Sequence, residues 1–422
     1  MGNILSITCF GKKEAPICNG ETCLITRNQS PSPTSSFYHA CREGDSDQVK
    51  QLLASTSLDE INKIEPNGST ALHVACYYGH YDIVKILLDA GASRSIRNRR
   101  YQLTPFEEAH TEQIRRLFYR VNSTNKITSD VDNDRFTGLS GHTEWVVESK
   151  QAADWKINLY KCLKLEQPFD EVIAFLNEHY LANHVARVCQ SQHDKQVIQW
   201  FFHQAVLQQN AQYIVKAYTS VTQFYSIVNT HLAQFLLRFF RWNYNARHAN
   251  TLEKSVGYLA SIFIYHPDLR SLSYIGITYR GMVLSRHDLS IYNVGKRLLN
   301  KSFLSTSIDR HVAKVFAGAG DSKCMRRNLN NDPIQYMTLC TYKITNPDTA
   351  LFIGTISEVP LEQEVLIMPL CAFQIKAIKK NLDNDSNIDV EIELEECVSS
   401  CFDDVNQSTE FVPKNSQSRI LC

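Results

Sequence analysis

An α+β protein led by an all-α repeat array is the architecture that three features of this 422-residue chain predict. The first is a self-similar stretch near the amino end. The second is a long run, from 151 to about 265, with apolar residues at three- and four-residue intervals. The third is a change from about residue 272 to short apolar runs divided by polar turns, the period of strands. Helices followed by many strands point to a mixed β-sheet with a helical lead-in.

The self-similarity comes first in the chain. Ala40, Gly44 and Leu53 recur as Ala75, Gly79 and Leu88, and a partial third copy begins at Thr104-Pro105-Phe106. Gly79 ends a helix where a positive φ is needed, and Ile83, Val84, Leu87 and Leu88 supply the apolar face of the next. The middle copy, GSTALHVACYYGHYDIVKILLDAGA, resembles the ankyrin repeat, whose period is about 33 residues. Thr70 and His73 match its opening turn, and Ala71 replaces its usual proline. His73 is thereby a structural residue. Single repeats cannot bury their own apolar face, so the copies must stack over 37–120. Such an array implies a docking surface for a protein partner.

The flanking segments are expected as follows. Residues 1–36 form a flexible amino end, polar and rich in Ser, Thr and Pro over 19–36. Residues 121–150 have weak periodicity and read as a linker, and 151–210 as a helical connecting region. The strand-rich domain occupies 211–395 and a polar, disordered tail 396–422. The aromatics of the helical region, Trp155, Trp200 and Trp242 among them, are expected in the core.

Composition excludes several function classes. Lys plus Arg equals Asp plus Glu at 44 each, which gives no global reason to bind nucleic acid. The 13 cysteines show no CxxC pair and no spacing for a tetrahedral zinc site, so no metal is expected. No window of about 20 apolar residues is present to span a bilayer, and the first residues lack the pattern of a secretory signal. They carry another signal: Met1-Gly2-Asn3-Ile4-Leu5-Ser6 fits N-myristoylation of Gly2, with Cys9 placed for a second acyl group. A cytoplasmic protein, attached to the cytosolic face of a membrane if Gly2 is acylated, is the expectation.

Three landmarks in the strand-rich part carry chemistry. Arg280 follows an apolar strand and precedes Gly281; its planar donors suit a pyrophosphate, and glycine admits close backbone approach. Ser305-Thr306-Ser307 ends a strand that leads into a helix capped by Ser307 or Asp309. Glu362 and Glu364, two apart on a strand, would share a face and shift each other's proton affinity.

Arg, then Ser-Thr-Ser, then Glu-x-Glu-Val-Leu-Ile resembles the R-S-E signature of the arginine-specific mono-ADP-ribosyltransferases. SFLSTSIDRHVAKVF and EQEVLIMPLCAFQI resemble the family's flanking text, and the likeness spans about 210–395. It implies a co-substrate, NAD or NADP, and no permanently bound cofactor. It implies cofactor binding by Arg280, Gly281, Ser305, Thr306 and Ser307, with Gly281 bonding nicotinamide through its backbone and Ser305 orienting the ribose. Glu364 becomes the catalytic glutamate that stabilises an oxocarbenium-like transition state. Glu362 becomes the carboxylate that readies an acceptor arginine, whose pKa exceeds 12. The catalytic set is then Arg280, Ser305, Glu362 and Glu364, acting on proteins with accessible arginines. Two other readings stand beside it: an NAD glycohydrolase, and a non-catalytic ankyrin adaptor with an inactive transferase-like domain.

Overall fold

The computed structural model describes residues 34–119, 145–147, 159–160, 163, 167–239, 249–317, 335–380 and 388–397. Gly2 and Cys9 lie outside the described residues, as do Trp155 and Trp242.

The repeats fold as helix pairs. Helices α1 (Ser36–Glu43) and α2 (Ser46–Leu53) form the first, and a short α3 (Leu58–Ile61) follows. The second pair is α4 (Ala71–Tyr78) and α5 (Tyr81–Asp89), the third α6 (Pro105–Glu108) and α7 (Glu112–Arg116). Gly44 and Gly79 both hold φ +82° directly after the first helix of their pair, as the periodicity requires. Thr70 and Thr104 each cap a helix through a reciprocal box, with His73 and Glu107 as the third residues. The copies interlock through side chains. His73 Nε2 meets the Leu103 carbonyl at 3.0 Å, and His80 Nε2 meets the Arg42 carbonyl at 2.9 Å. His73 is wholly buried, in keeping with its structural reading.

The helical lead-in runs as Phe169–Phe175, a π-helical Leu176–Val185, Ala186–Val188, Gln192–Leu207, Gln212–Thr219, Phe224–Phe239, Thr251–Tyr265 and Pro267–Arg270. Trp200 packs at the margin of the expected core. It is half-buried, and its indole donates to Asp59 Oδ1 at 2.7 Å, tying the helix Gln192–Leu207 to α3. The polar edge of indole found a carboxylate on another element, which periodicity within one segment does not reveal.

Among the described residues nine strands build one sheet: β1 (Trp145–Val147), β2 (Gly276–Ser285), β3 (Arg297–Asn300), β4 (Leu304–Ser307), β5 (Gln335–Ile344), β6 (Ala350–Phe352), β7 (Glu364–Ile367), β8 (Ala372–Lys380) and β9 (Val390–Glu396). Their order is β1-β3-β8-β9-β5-β2-β4-β7-β6. Among these described strands only the β5–β9 pair is parallel, so the sheet is mixed. β1 lies within the stretch read as a linker; three residues are too short for an alternation to register, and the strand exists through its pairing with β3. Tyr218, Phe263 and Phe303 pack ring against ring, with centroids 4.8–5.7 Å apart. Phe303 directly precedes β4, so this cluster anchors the strand that carries Ser305 to the helical layer. No described helix is long and apolar enough to cross a membrane.

Candidate active site

The site is a patch of three strands, β2, β4 and β7. Register aligns Tyr279, Ser307 and Glu364 across it, and Ser305 with Leu366 one step further along. Side chains opposite one another in a sheet share a face, and alternate residues return to it. Ser305, Ser307 and Glu364 therefore lie on one face. Thr278, Arg280, Thr306 and Val365 belong to the other.

Arg280 sits in the middle of a ten-residue strand rather than at its end. The sequence hid this because Arg and Gly interrupt the apolar run, whereas β5 pairs with β2 along its whole length. On its other side β2 pairs with β4 at Tyr279–Ser307 alone, so the seam opens at Arg280. The guanidinium bridges the opening: Nη1 donates to the Ser305 carbonyl at 2.7 Å. Gly281 is explained locally. A Cβ there would stand 1.8 Å from the Ala313 carbonyl, so its missing side chain admits the helix Arg310–Phe316 onto the strand. The close backbone approach expected at this glycine is made by the chain's own helix.

Thr306 and Ser307, expected among the cofactor-binding residues, have hydroxyls engaged by the protein. Thr306 Oγ1 donates to the Val365 carbonyl at 2.7 Å and accepts from Thr278 Oγ1 at 2.7 Å. Ser307 Oγ donates to the Glu362 carbonyl at 2.7 Å and accepts from the Asp309 N–H at 3.0 Å. Asp309, rather than Ser307, caps the following helix.

The two glutamates do not share a strand. Glu362 closes a 3-10 turn, Pro360–Glu362, and Gln363 then takes φ +44° before β7 begins at Glu364. Pro360 starts the turn and the left-handed Gln363 breaks the alternation, so the same-face argument fails for this pair. Ser307 nonetheless ties the Glu362 backbone to the end of β4, and the Ile308 N–H donates to the Gln363 carbonyl at 3.2 Å. Both carboxylates are buried, at 4% exposure for Glu362 and 0% for Glu364. Arg280 and Ser305 are 2% and 1% exposed.

Residues 19–120 match the family model for ankyrin repeats, in three copies. The amino-terminal helix pairs are ankyrin repeats. Among curated proteins, oxysterol-binding protein-related protein 1 of Homo sapiens is 37% identical over 70 residues, 15% of this chain and 7% of that protein. Tyrosine-protein kinase HTK16 of Hydra vulgaris is 44% identical over 60 residues, 14% of this chain and 8% of that one. The chain thus spans less than a tenth of the length of either relative. Similar solved structures include the ADP-ribosyltransferase Vis from Vibrio splendidus, at 19% identity and TM-score 0.30, over 50% of this chain and 88% of that one. They also include the ADP-ribosyltransferase HopU1 of Pseudomonas syringae, at 14% identity and TM-score 0.31, over 60% and 99%. The type III effector XopAI of Xanthomonas axonopodis aligns at 16% identity and TM-score 0.35, over 60% and 95%. Scores of this size leave the chemistry to the side chains themselves.

Asn300 belongs with the site although sequence reasoning passed over it. It is wholly buried. Its amide donates to the Ser302 and Met368 carbonyls at 2.7 and 2.8 Å and accepts from the Cys371 N–H at 2.8 Å. It therefore joins the entry of β4 to the exit of β7. A buried Asn meeting three backbone groups is legible only once those groups are in place. Two clefts of about 570 Å³ lie between the ankyrin repeats and the helical lead-in, and Arg280, Ser305 and Glu364 line neither. Among the described residues no cluster of three His, Cys, Asp or Glu is placed to hold a metal.

Proposed function

We propose that this chain is a mono-ADP-ribosyltransferase that moves ADP-ribose from NAD to arginine side chains of acceptor proteins and releases nicotinamide. One observation carries the reading: Ser305 and Glu364, far apart in sequence, share a face on paired strands, and Arg280 reaches the same strand through the Ser305 carbonyl. In this reading Arg280 holds the phosphate and nicotinamide-ribose side of NAD and fixes β4. The Gly281 backbone bonds the nicotinamide. Ser305 orients the ribose, and Glu364 accepts the hydrogen bond of the 2′-hydroxyl. As the N-glycosidic bond breaks, its electron pair leaves with nicotinamide, and Glu364 stabilises the oxocarbenium-like ribose. An acceptor guanidine nitrogen then bonds to the ribose carbon, and Glu362 takes the proton it loses. The ankyrin repeats dock a protein partner. Acyl groups on Gly2 and Cys9 would hold the chain at the cytosolic face of a membrane.

Transfer of labelled ADP-ribose from NAD to an arginine-rich acceptor tests this, with hydroxylamine sensitivity reporting the modified side chain. Glu364→Gln keeps the size of the side chain and removes its charge, and is expected to lower the rate about 100-fold or more. Equal labelling by wild type and variant would refute the assignment. The near-complete burial of Arg280, Ser305 and Glu364 favours a second reading, a non-catalytic adaptor. Absence of NAD binding in calorimetry would establish it.

A further inference from the structure

The loop that joins β6 to β7 ends in Glu362, and the ankyrin repeats grip it. Glu358 is 4% exposed. Its Oε1 accepts from Ser93 Oγ at 2.8 Å and Ser95 Oγ at 2.5 Å, and its Oε2 from the Arg94 N–H at 2.8 Å. Its own N–H donates to Thr219 Oγ1 at 3.0 Å. Three residues later Leu361 packs against the hydrophobic core of the repeats. A buried carboxylate is costly unless its lone pairs are met, and here hydroxyls and an amide from one turn of the array meet them. An apolar residue would have glued the same surfaces with less desolvation, but without fixing the register of the loop.

We propose that Ser93, the Arg94 backbone, Ser95 and Glu358 form a clamp through which the ankyrin array sets the position of Glu362, and so the acceptor half of the reaction. They are positioning residues: the clamp holds the loop from the repeat side, while Ser307 holds the Glu362 carbonyl from the sheet side. Glu364 lies on β7, whose pairing with β4 and β6 makes it independent of the clamp. The inference rests on the transferase reading.

Two full-length variants test it, Glu358→Gln and the double change Ser93→Ala with Ser95→Ala. Nicotinamide release from NAD alone is measured beside transfer to an arginine-rich peptide, together with hydrogen exchange over 354–363. NAD cleavage without acceptor is expected to keep its kcat and KM. Transfer is expected to fall about ten- to a hundredfold in kcat/KM, so that more nicotinamide is released per peptide modified, and exchange in the loop should quicken. An unchanged ratio of transfer to cleavage overturns the proposal. So does a parallel loss of both reactions with a lowered Tm, which marks a merely structural contact. If wild type neither cleaves NAD nor modifies the peptide, the transferase reading falls; unchanged exchange over 354–363 in the variants would then overturn the clamp by itself.

Discussion

His73 illustrates how one buried side chain couples structure to solution conditions. It completes the capping box of α4 and meets the Leu103 carbonyl of the next repeat. Burial pulls its pKa down from 6.5 to about 4, against the raising effect of its bonds to the Leu103 and Ile96 backbones. The folded state therefore holds His73 neutral at pH values where the unfolded chain protonates it. Its contribution is complete above pH 6.5 and is lost as pH falls toward 4, by about 3 kcal/mol over that window. His73→Gln keeps a box-forming residue and removes the titration. Its Tm should decline less than that of wild type between pH 7 and 4.5; parallel declines would contradict this. His231 is also held near 4, chiefly by burial and then by the neighbouring His184, so part of the acid sensitivity stays in both proteins. The residues of the candidate site stand out singly in the sequence, because Arg280, Ser305 and Glu364 lie in recognisable text. Their partners were less so. That Arg280 would give Nη1 to a carbonyl, and Thr306 its hydroxyl to Val365, depends on which strands become neighbours.

At the scale of elements, the seam between β4 and β7 is the part on which the proposed chemistry depends. Thr306 latches it from one face, through Val365 on one side and Thr278 on the other. Ser307 and Asn300 close its two ends. Thr306→Val keeps the shape of the side chain, removes its hydrogen bond to the Val365 carbonyl and leaves Thr278 Oγ1 the Ser307 carbonyl at 2.9 Å; losing one such bond costs about 1 kcal/mol. Thermal unfolding of this variant should be lower by several degrees; an unchanged Tm would show the latch to be inert. Short apolar runs revealed most of these strands; β9 shows the plainest period of two, whereas β7 is buried at all four residues. The same reasoning misplaced Glu362, since Pro360 and the left-handed Gln363 insert a turn where alternation predicts continued strand. It also passed over β1 and β3, three and four residues long, which borrow their conformation from pairing.

Across the whole molecule, the repeat array was readable from self-similarity near the amino end, and the helical layer and mixed sheet from the change in apolar period that follows. The way the array is joined to the rest was not. Glu358 meets residues 263–265 positions earlier in the chain, and Trp200 meets Asp59 across 141. No local pattern encodes contacts of such separation. They tie the ankyrin repeats to the loop that presents Glu362 and to the helical layer; in the proposed reading, partner docking and acceptor positioning then share a structural element. The proposed chemistry requires Arg280, from one face of the β2–β4–β7 patch, and Ser305 and Glu364, from the other, to meet one ligand where the seam opens, a convergence still to be tested. A crystal structure of the chain with a non-hydrolysable NAD analogue reads that convergence directly. The nicotinamide ribose is expected with its 2′-hydroxyl in hydrogen-bond contact with Glu364 and Ser305 beside it. An analogue bound elsewhere, with positions 280, 305 and 364 untouched, would contradict the account.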